Sequence, residues 1–194
     1  INFIRRALEN AGLEHIPVIS VNASMLESNP GFSYTPKLLT GLVHGLVYGD
    51  LLMRLLYRVR PYEKVEGSAN ALHKKWEAKC IEAVKRGSWR EYKRNIYEMV
   101  EDFDKLPIND EKKVRVGIVG EILVKFSPAA NNHPVDLLEA ECAEAVMPDL
   151  LDFFLYGMYN ANFKQEAFGF SGLYMFGNNF MFGVVNLFRR HLIK

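Results

Sequence analysis

Two short runs of apolar residues stand on either side of a long stretch with helical periodicity, and this alternation constrains the fold most. The runs are "IPVISV" at 16–21 and "VRVGIVG" at 114–120. From 36 to 106, apolar residues recur every three or four positions. Strand runs that alternate with helical periodicity are typical of parallel α/β folds. The sequence therefore predicts an α/β fold with a Rossmann-like, mostly parallel sheet that includes both runs, and a helical block inserted at 36–106.

The second half repeats the alternation. After the run at 114–120, a helix is predicted over 131–145, and a short strand near 145–147 follows it. A strand, a helix and a second strand in this order form a right-handed parallel crossover. Because the chain of 194 residues starts inside a helical pattern and without Met, we expect a single α/β domain over 1–194 that is a fragment of a larger protein.

Composition restricts the partners. The formal net charge is +1 and no run of Lys or Arg occurs, so the sequence predicts no nucleic-acid partner. The two cysteines do not form a disulfide framework, which favours a cytoplasmic location. The aromatic segment 167–188 has no charged residue, but its asparagines and glycines disfavour a membrane span. We expect that segment to be buried or to form an interface, with other domains of the parent chain or in a homo-oligomer.

The loop after the strand at 114–120 is the best-placed candidate site. Ligands of open parallel sheets bind at the carboxyl ends of the strands. Gly117 and Gly120 leave space there, although they do not complete a dinucleotide fingerprint. The polar residues that this position brings forward are Glu121, Lys125, Ser127, Asn131 and Asn132. Two interpretations remain open, because Glu121 can also be a solvated carboxylate and the two asparagines can simply cap a helix.

Asp50 is a further candidate ligand-binding residue. It stands four positions before Arg54 in a helical pattern, and most pairs of this spacing are solvated. Apolar neighbours at 43, 46 and 47 predict partial burial instead.

No residue set predicts a metal or a cofactor in this chain. The five histidines form no i, i+4 pair, and two cysteines cannot supply the thiolates of a cluster. No phosphate-binding loop of the P-loop type is present in the sequence.

Four segments carry a family resemblance: "IRRALENAGLEHIPVISVN", "GLVYGDLLMRLLYRVRPYE", "KVRVGIVGEILVKFSPAANN" and "MPDLLDFFLYGMYNANFK". Together they resemble the non-ATPase region of large bacterial proteins related to activators of (R)-2-hydroxyglutaryl-CoA dehydratase. That region is itself similar to the cluster-binding component of the dehydratase. The resemblance implies a Rossmann-like fold in a CoA-enzyme activase family whose parent proteins use ATP and a 4Fe-4S cluster.

The same resemblance implies two roles. The first is a non-ATPase module that binds a partner segment or a CoA thioester. The alternative is a fragment of a radical 2-hydroxyacyl-CoA dehydratase or reductase whose cluster cysteines lie outside this chain. The sequence departs from the family at the strand end, where "GIVGEI" places Glu121 and no cysteine. We therefore expect no cofactor in this fragment, and catalytic residues are not assigned.

Overall fold

A computed structural model of the chain describes residues 2–18, 35–169 and 172–190. Contacts divide the chain into two compact units, Ile1–Leu38 and Leu39–Lys194. In the first unit, α1 spans Asn2–Asn10. Gly12 adopts a left-handed φ of 68°, and the amide of Leu13 donates to the carbonyl of Leu8 at 2.8 Å. This is the glycine-terminated helix end that the sequence predicts at Gly12.

The core of the second unit is helical. Helix α2 spans Pro36–Val59 and continues into a single 3-10 turn at Arg60–Tyr62, and α3 (Ser68–Arg86) and α4 (Trp89–Asp104) follow. Their buried faces meet in one cluster, because each helix carries an apolar stripe of 3.6-residue period. The largest buried side chains of that cluster are Trp76, Tyr92, Met99 and Phe103.

A small α/β element follows the helical core. It consists of β1 (Val114–Gly117), α5 (Ile122–Phe126), α6 (Pro128–Asn131), α7 (Pro134–Ala140) and β2 (Ala143–Val146). The two strands pair in parallel, with Val114 opposite Ala143 and Gly117 opposite Val146. The chain then returns to helix in α8 (Leu150–Phe168) and α9 (Gly172–Arg189). Leu151, Leu155 and Val185 of these last helices complete the core.

The predicted Rossmann-like α/β fold is wrong. Of the described residues, 72% are helical, and their sheet has two strands only. Strand β1 pairs with β2; of the run at 16–21, residues 16–18 form no strand and residues 19–21 lie outside the described residues. A strand inside a wide parallel sheet would be covered on both faces, yet Val114 at the start of the run is 73% exposed. The helices bury one another, so no wide sheet is needed to cover their apolar stripes.

The predicted crossover between the strands is confirmed in its parallel direction, but its helix is shorter than expected. The helical pattern suggested 131–145, whereas α7 ends at Ala140. Cys142 takes a left-handed φ of 60°, which a helix cannot accommodate, and the following residues enter β2.

Ser88 caps α4, as the Ser88-x-x-Glu91 spacing predicts. Its hydroxyl oxygen accepts a hydrogen bond from the amide of Glu91 at 3.3 Å. We expect Ser88→Ala to lower the free energy of unfolding by about 1 kcal/mol, the usual effect of losing an N-cap. Urea titration at neutral pH measures this. Ser127→Ala is the matched control, because Ser127 precedes α6 without a side-chain cap bond. Equal losses in the two variants would contradict the prediction.

Candidate functional site

A cleft of about 610 Å³ lies between α2 and the two strands. We call it the arginine cleft, after the three arginines at its edge. It is lined by Leu51, Arg54, Leu55, Tyr57, Arg58, Arg115, Gly117, Val119, Glu144, Ala145, Val146, Met147 and Pro148. Its size is typical of small-molecule sites, which occupy roughly 300–1,000 Å³.

Two regular periodicities assemble this lining. On α2, Leu51, Arg54, Leu55 and Arg58 recur at the spacing that places residues on one helix face. Along β1 and its continuation, lining residues alternate at 115, 117 and 119, as side chains on one face of a strand do. One face of the sheet therefore meets one face of α2. Met147 and Pro148 follow β2 directly, so the cleft extends past the carboxyl end of that strand.

Glu144 is the central carboxylate of the cleft and is only 2% exposed. It accepts hydrogen bonds from Arg58 Nη1 at 2.8 Å, from Tyr62 Oη at 2.7 Å and from Arg115 Nε at 3.0 Å. Burial alone would raise the pKa of Glu144, but the hydrogen bonds from Tyr62 and Arg58 outweigh burial and hold that pKa below its ordinary value. Glu144 is therefore an anion that fixes Arg58 and Arg115 side by side.

A second buried carboxylate, Asp149, fixes the third arginine. Arg54 Nε donates to Asp149 Oδ1 at 2.6 Å, and Nη2 lies 2.6 Å from Oδ2. The first contact is a charge-assisted hydrogen bond, whereas the second is an ion-pair distance only, because Asp149 Oδ2 accepts no hydrogen bond from the described residues. Asp149 precedes α8, but the amides at the start of that helix are bound by Asp50. The two Asp50 carboxylate oxygens accept from Leu150 N at 2.8 Å and from Leu151 N at 2.9 Å.

The arginines keep hydrogen-bonding capacity for a ligand. Their side chains remain between 46% and 63% exposed although their partners are buried. Arg115 bonds Glu144 through Nε, and its two terminal nitrogens donate to no group in the part of the chain that the structure describes. The lining of the cleft contains three guanidinium groups and one carboxylate, that of Glu144, while the buried carboxylates of Asp149 and Asp50 interact with Arg54. An anion can therefore bind at the rim through fixed, outward-facing N–H groups.

Gly117 leaves the sheet side of the cleft open. A Cβ built at Gly117 would meet no atom within 4 Å. The remaining walls are mostly apolar, formed by leucines of α2 and by the residues after the two strand ends. The cleft thus combines an apolar interior with a rim that carries arginines.

The predicted site residues are not gathered in this cleft. Glu121 is exposed and caps α5, because its Oε2 accepts from the amide of Val124 at 3.1 Å. Asn131 donates to the carbonyls of Val124 and Lys125 and so closes the end of the same helix. Lys125 and Asn131 line a separate cavity of about 110 Å³.

The three remaining predicted residues have other positions. Ser127 lies between α5 and α6, and Asn132 is exposed with a left-handed φ of 56°. Asp50 is buried and caps α8. The sequence interpretation overlooked Arg58, Arg115 and Glu144. Arg115 gave a signal, since it is a charged residue inside an otherwise apolar strand run.

The described residues hold no group of three or more His, Cys, Asp or Glu side chains that could bind a metal ion. One helical stretch among them, Pro36–Tyr62, has the length and hydropathy of a membrane span, and it contains the core helix α2.

Fold and cleft together define a mainly helical chain with a small parallel sheet and a cleft that is edged by three arginines. Comparison with protein-family models, with curated proteins and with solved structures finds no match for this chain.

Proposed function

We propose that this chain is a ligand-binding module whose arginine cleft takes an anionic ligand with an apolar part, of the CoA-thioester class. The observation that carries the proposal is the outward-facing arginine group at the mouth of an apolar cleft. The proposal keeps the first role that the resemblance to dehydratase activator-related proteins implies, that of a non-ATPase module. It does not depend on a Rossmann-like sheet.

The chemistry of a CoA thioester matches the two parts of the cleft. Its phosphates are multivalent anions, which planar guanidinium groups bind with paired hydrogen bonds. Its acyl portion and the methylene and methyl groups of its pantetheine arm need apolar surface, which the side chains of Leu51, Leu55 and Val119 offer. The buried carboxylate of Glu144 holds Arg58 and Arg115 in place before the ligand arrives, which lowers the entropy cost of binding.

Calorimetric titration of the chain with a short-chain 2-hydroxyacyl-CoA tests the proposal. We expect binding that weakens as the salt concentration rises, since the rim contacts are electrostatic. Arg115→Gln should reduce the affinity at least about tenfold, because it removes charge-assisted hydrogen bonds worth roughly 1.5–3 kcal/mol. Arg94→Gln is the matched control, since Arg94 is an exposed arginine of α4 with only distant carboxylate partners.

A second variant fills the cleft without changing its charge. Gly117→Val adds a branched side chain where a Cβ meets open space, and valine suits a strand. We expect it to abolish thioester binding while the far-ultraviolet circular dichroism stays that of the wild type. Two results would overturn the proposed function: no binding by the wild type at millimolar thioester, or equal affinities in the wild type, Arg115→Gln and Gly117→Val.

A further inference from the structure

Each of the last two helices, α8 and α9, exposes a stripe of large apolar side chains. On α8, Tyr156, Tyr159 and Phe163 recur at the spacing of one helix face, and on α9 Phe176, Phe180 and Leu187 do the same. Each of the six side chains is more than half exposed, and Phe176 reaches 72%. Isolated exposed apolar residues are ordinary, but two regular stripes on neighbouring helices mark an interaction surface.

Three polar side chains of these helices bond within the pair. Asn178 of α9 donates to the carbonyl of Met158 on α8 at 2.8 Å. Asn186 donates to the carbonyl of Phe182 at 3.0 Å, and Arg189 forms an ion pair with Asp152. The inner faces pack through Leu155 and Val185 into the core. The outward stripes therefore present apolar and aromatic groups without a polar network of their own.

We propose that the two stripes form the interface of a homodimer, in which α8 and α9 of one copy pack against α8 and α9 of the second copy. The proposal is independent of ligand binding in the arginine cleft. An aromatic side chain has an area of roughly 150–250 Å². At the observed exposures, the six side chains of the stripes together expose roughly 700 Å². That is close to the area of about 800 Å² that each partner buries in a stable interface.

Composition favours a second copy of the chain over other occupants. Residues 167–188 contain no charged residue, and interface cores are depleted of charge and enriched in aromatic residues and Met. A membrane-surface helix instead needs a basic polar face, whereas the charges along the pair are mixed: Asp152, Lys164, Glu166 and Arg189. Gly183 lies on the α9 stripe, where a Cβ would meet no atom of its own chain within 4 Å. An aromatic side chain of the second copy can therefore approach the backbone closely at this glycine.

Sedimentation velocity over a range of concentrations tests the dimer. We expect the wild type to sediment with twice the 22.2 kDa mass of one chain at tens of micromolar. Phe180→Lys on α9 and Tyr159→Lys on α8 should each raise the dimer dissociation constant at least tenfold, because a lysine at the centre of an apolar interface loses its hydration. Ile81→Lys is the matched control, since Ile81 is a half-exposed apolar residue of α3 and lies on neither stripe.

Thermal unfolding and circular dichroism of the same variants verify that the chains remain folded, as expected for substitutions at exposed positions. A wild type that is monomeric at tens of micromolar would overturn the proposal. So would stripe variants that dimerise as tightly as Ile81→Lys. Wild-type chain that stays monomeric but co-sediments with phosphatidylcholine and phosphatidylserine vesicles would assign the stripes to a membrane surface, and this outcome also overturns the dimer.

Discussion

Replacing Glu144 by alanine is expected to lower the free energy of unfolding by about 3 kcal/mol, because it removes the carboxylate on which three donors converge. Hydrogen bonds to charged groups contribute roughly 1.5–3 kcal/mol each when one partner is buried. The loss should be smaller than the sum of the three hydrogen-bond contributions, because Arg58 and Arg115 are more than half exposed and water can hydrate them in the variant. Tyr62 loses its acceptor as well. Denaturant titration of the wild type and the variant at pH 7 measures the difference.

Two further variants show how much of this loss comes from the charge of Glu144 and from its burial. Glu144→Gln keeps the size of the side chain and should lose about 2 kcal/mol, because a neutral amide cannot balance two guanidinium groups. Glu98→Ala is the control for a surface pair, since Glu98 and Lys79 are both partly exposed, and it should cost less than about 1 kcal/mol. A loss in Glu144→Ala no larger than in Glu98→Ala would show that the Glu144 cluster does not stabilise the fold.

Helices α1 to α4 could be predicted from the sequence because their signals are local, whereas α5 and α6 lie in a stretch that the sequence predicted as a loop. The apolar stripe of α2, the glycine after α1 and the Ser88 cap depend on residues at most four positions apart. The width of the sheet could not be predicted in the same way. A short apolar run such as the one at 114–120 has the same local pattern whether it lies in the centre of a wide sheet or at the exposed edge of a two-strand sheet. The position of the strand depends on which segments pair with it and pack on it, and tertiary packing sets those partners.

The arginine cleft illustrates the same limit at the level of side chains. Asp50 and Arg54 have the spacing of a helical ion pair, and that pairing was one interpretation of the sequence. In the structure each side chain binds a group near residue 150 instead. Asp50 accepts hydrogen bonds from the first amides of α8, and Arg54 donates to Asp149. Two partners of Glu144, Arg58 of α2 and Tyr62 of the following 3-10 turn, are likewise more than 80 residues away in the chain. No spacing rule relates residues at such distances, so the cleft could be identified only from the folded chain.

Helix-end chemistry explains the placement of Glu121 and Asn131. A carboxylate after a strand and before a short helix can bind a ligand or cap the helix, and the sequence left both interpretations open. The structure shows the cap, with Glu121 bound to the amide of Val124 and Asn131 closing the far end of α5. Loss of either side chain would leave unpaired helix-end groups.

Asp50 should make the stability of the chain depend on pH in a direction opposite to that of Glu144. Burial raises the pKa of Asp50 from its ordinary value of 3.8 to about 6, although the amides of Leu151 and Leu150 and the charge of Arg54 counteract it. Between pH 4 and 6 the folded chain therefore holds a proton that the unfolded chain has lost, and the free energy of unfolding falls as the pH rises. For Glu144 the pKa is lowered, so its contribution is present at neutral pH and is lost as the pH falls through its folded pKa.

The variant Asp50→Asn isolates the first effect, because asparagine does not titrate and retains an oxygen that can accept from the α8 amides. At about 1.4 kcal/mol per unit of pKa difference, the wild type should gain about 2 kcal/mol relative to Asp50→Asn when the pH is lowered from 7 to 4.5. Other titrating groups, Glu144 among them, are common to both chains and cancel in the difference. Urea titrations of both chains at the two pH values measure it. A difference that does not change with pH would mean that Asp50 titrates at its ordinary pKa. A difference that changes in the opposite sense would mean that the helix amides and Arg54 outweigh burial at Asp50.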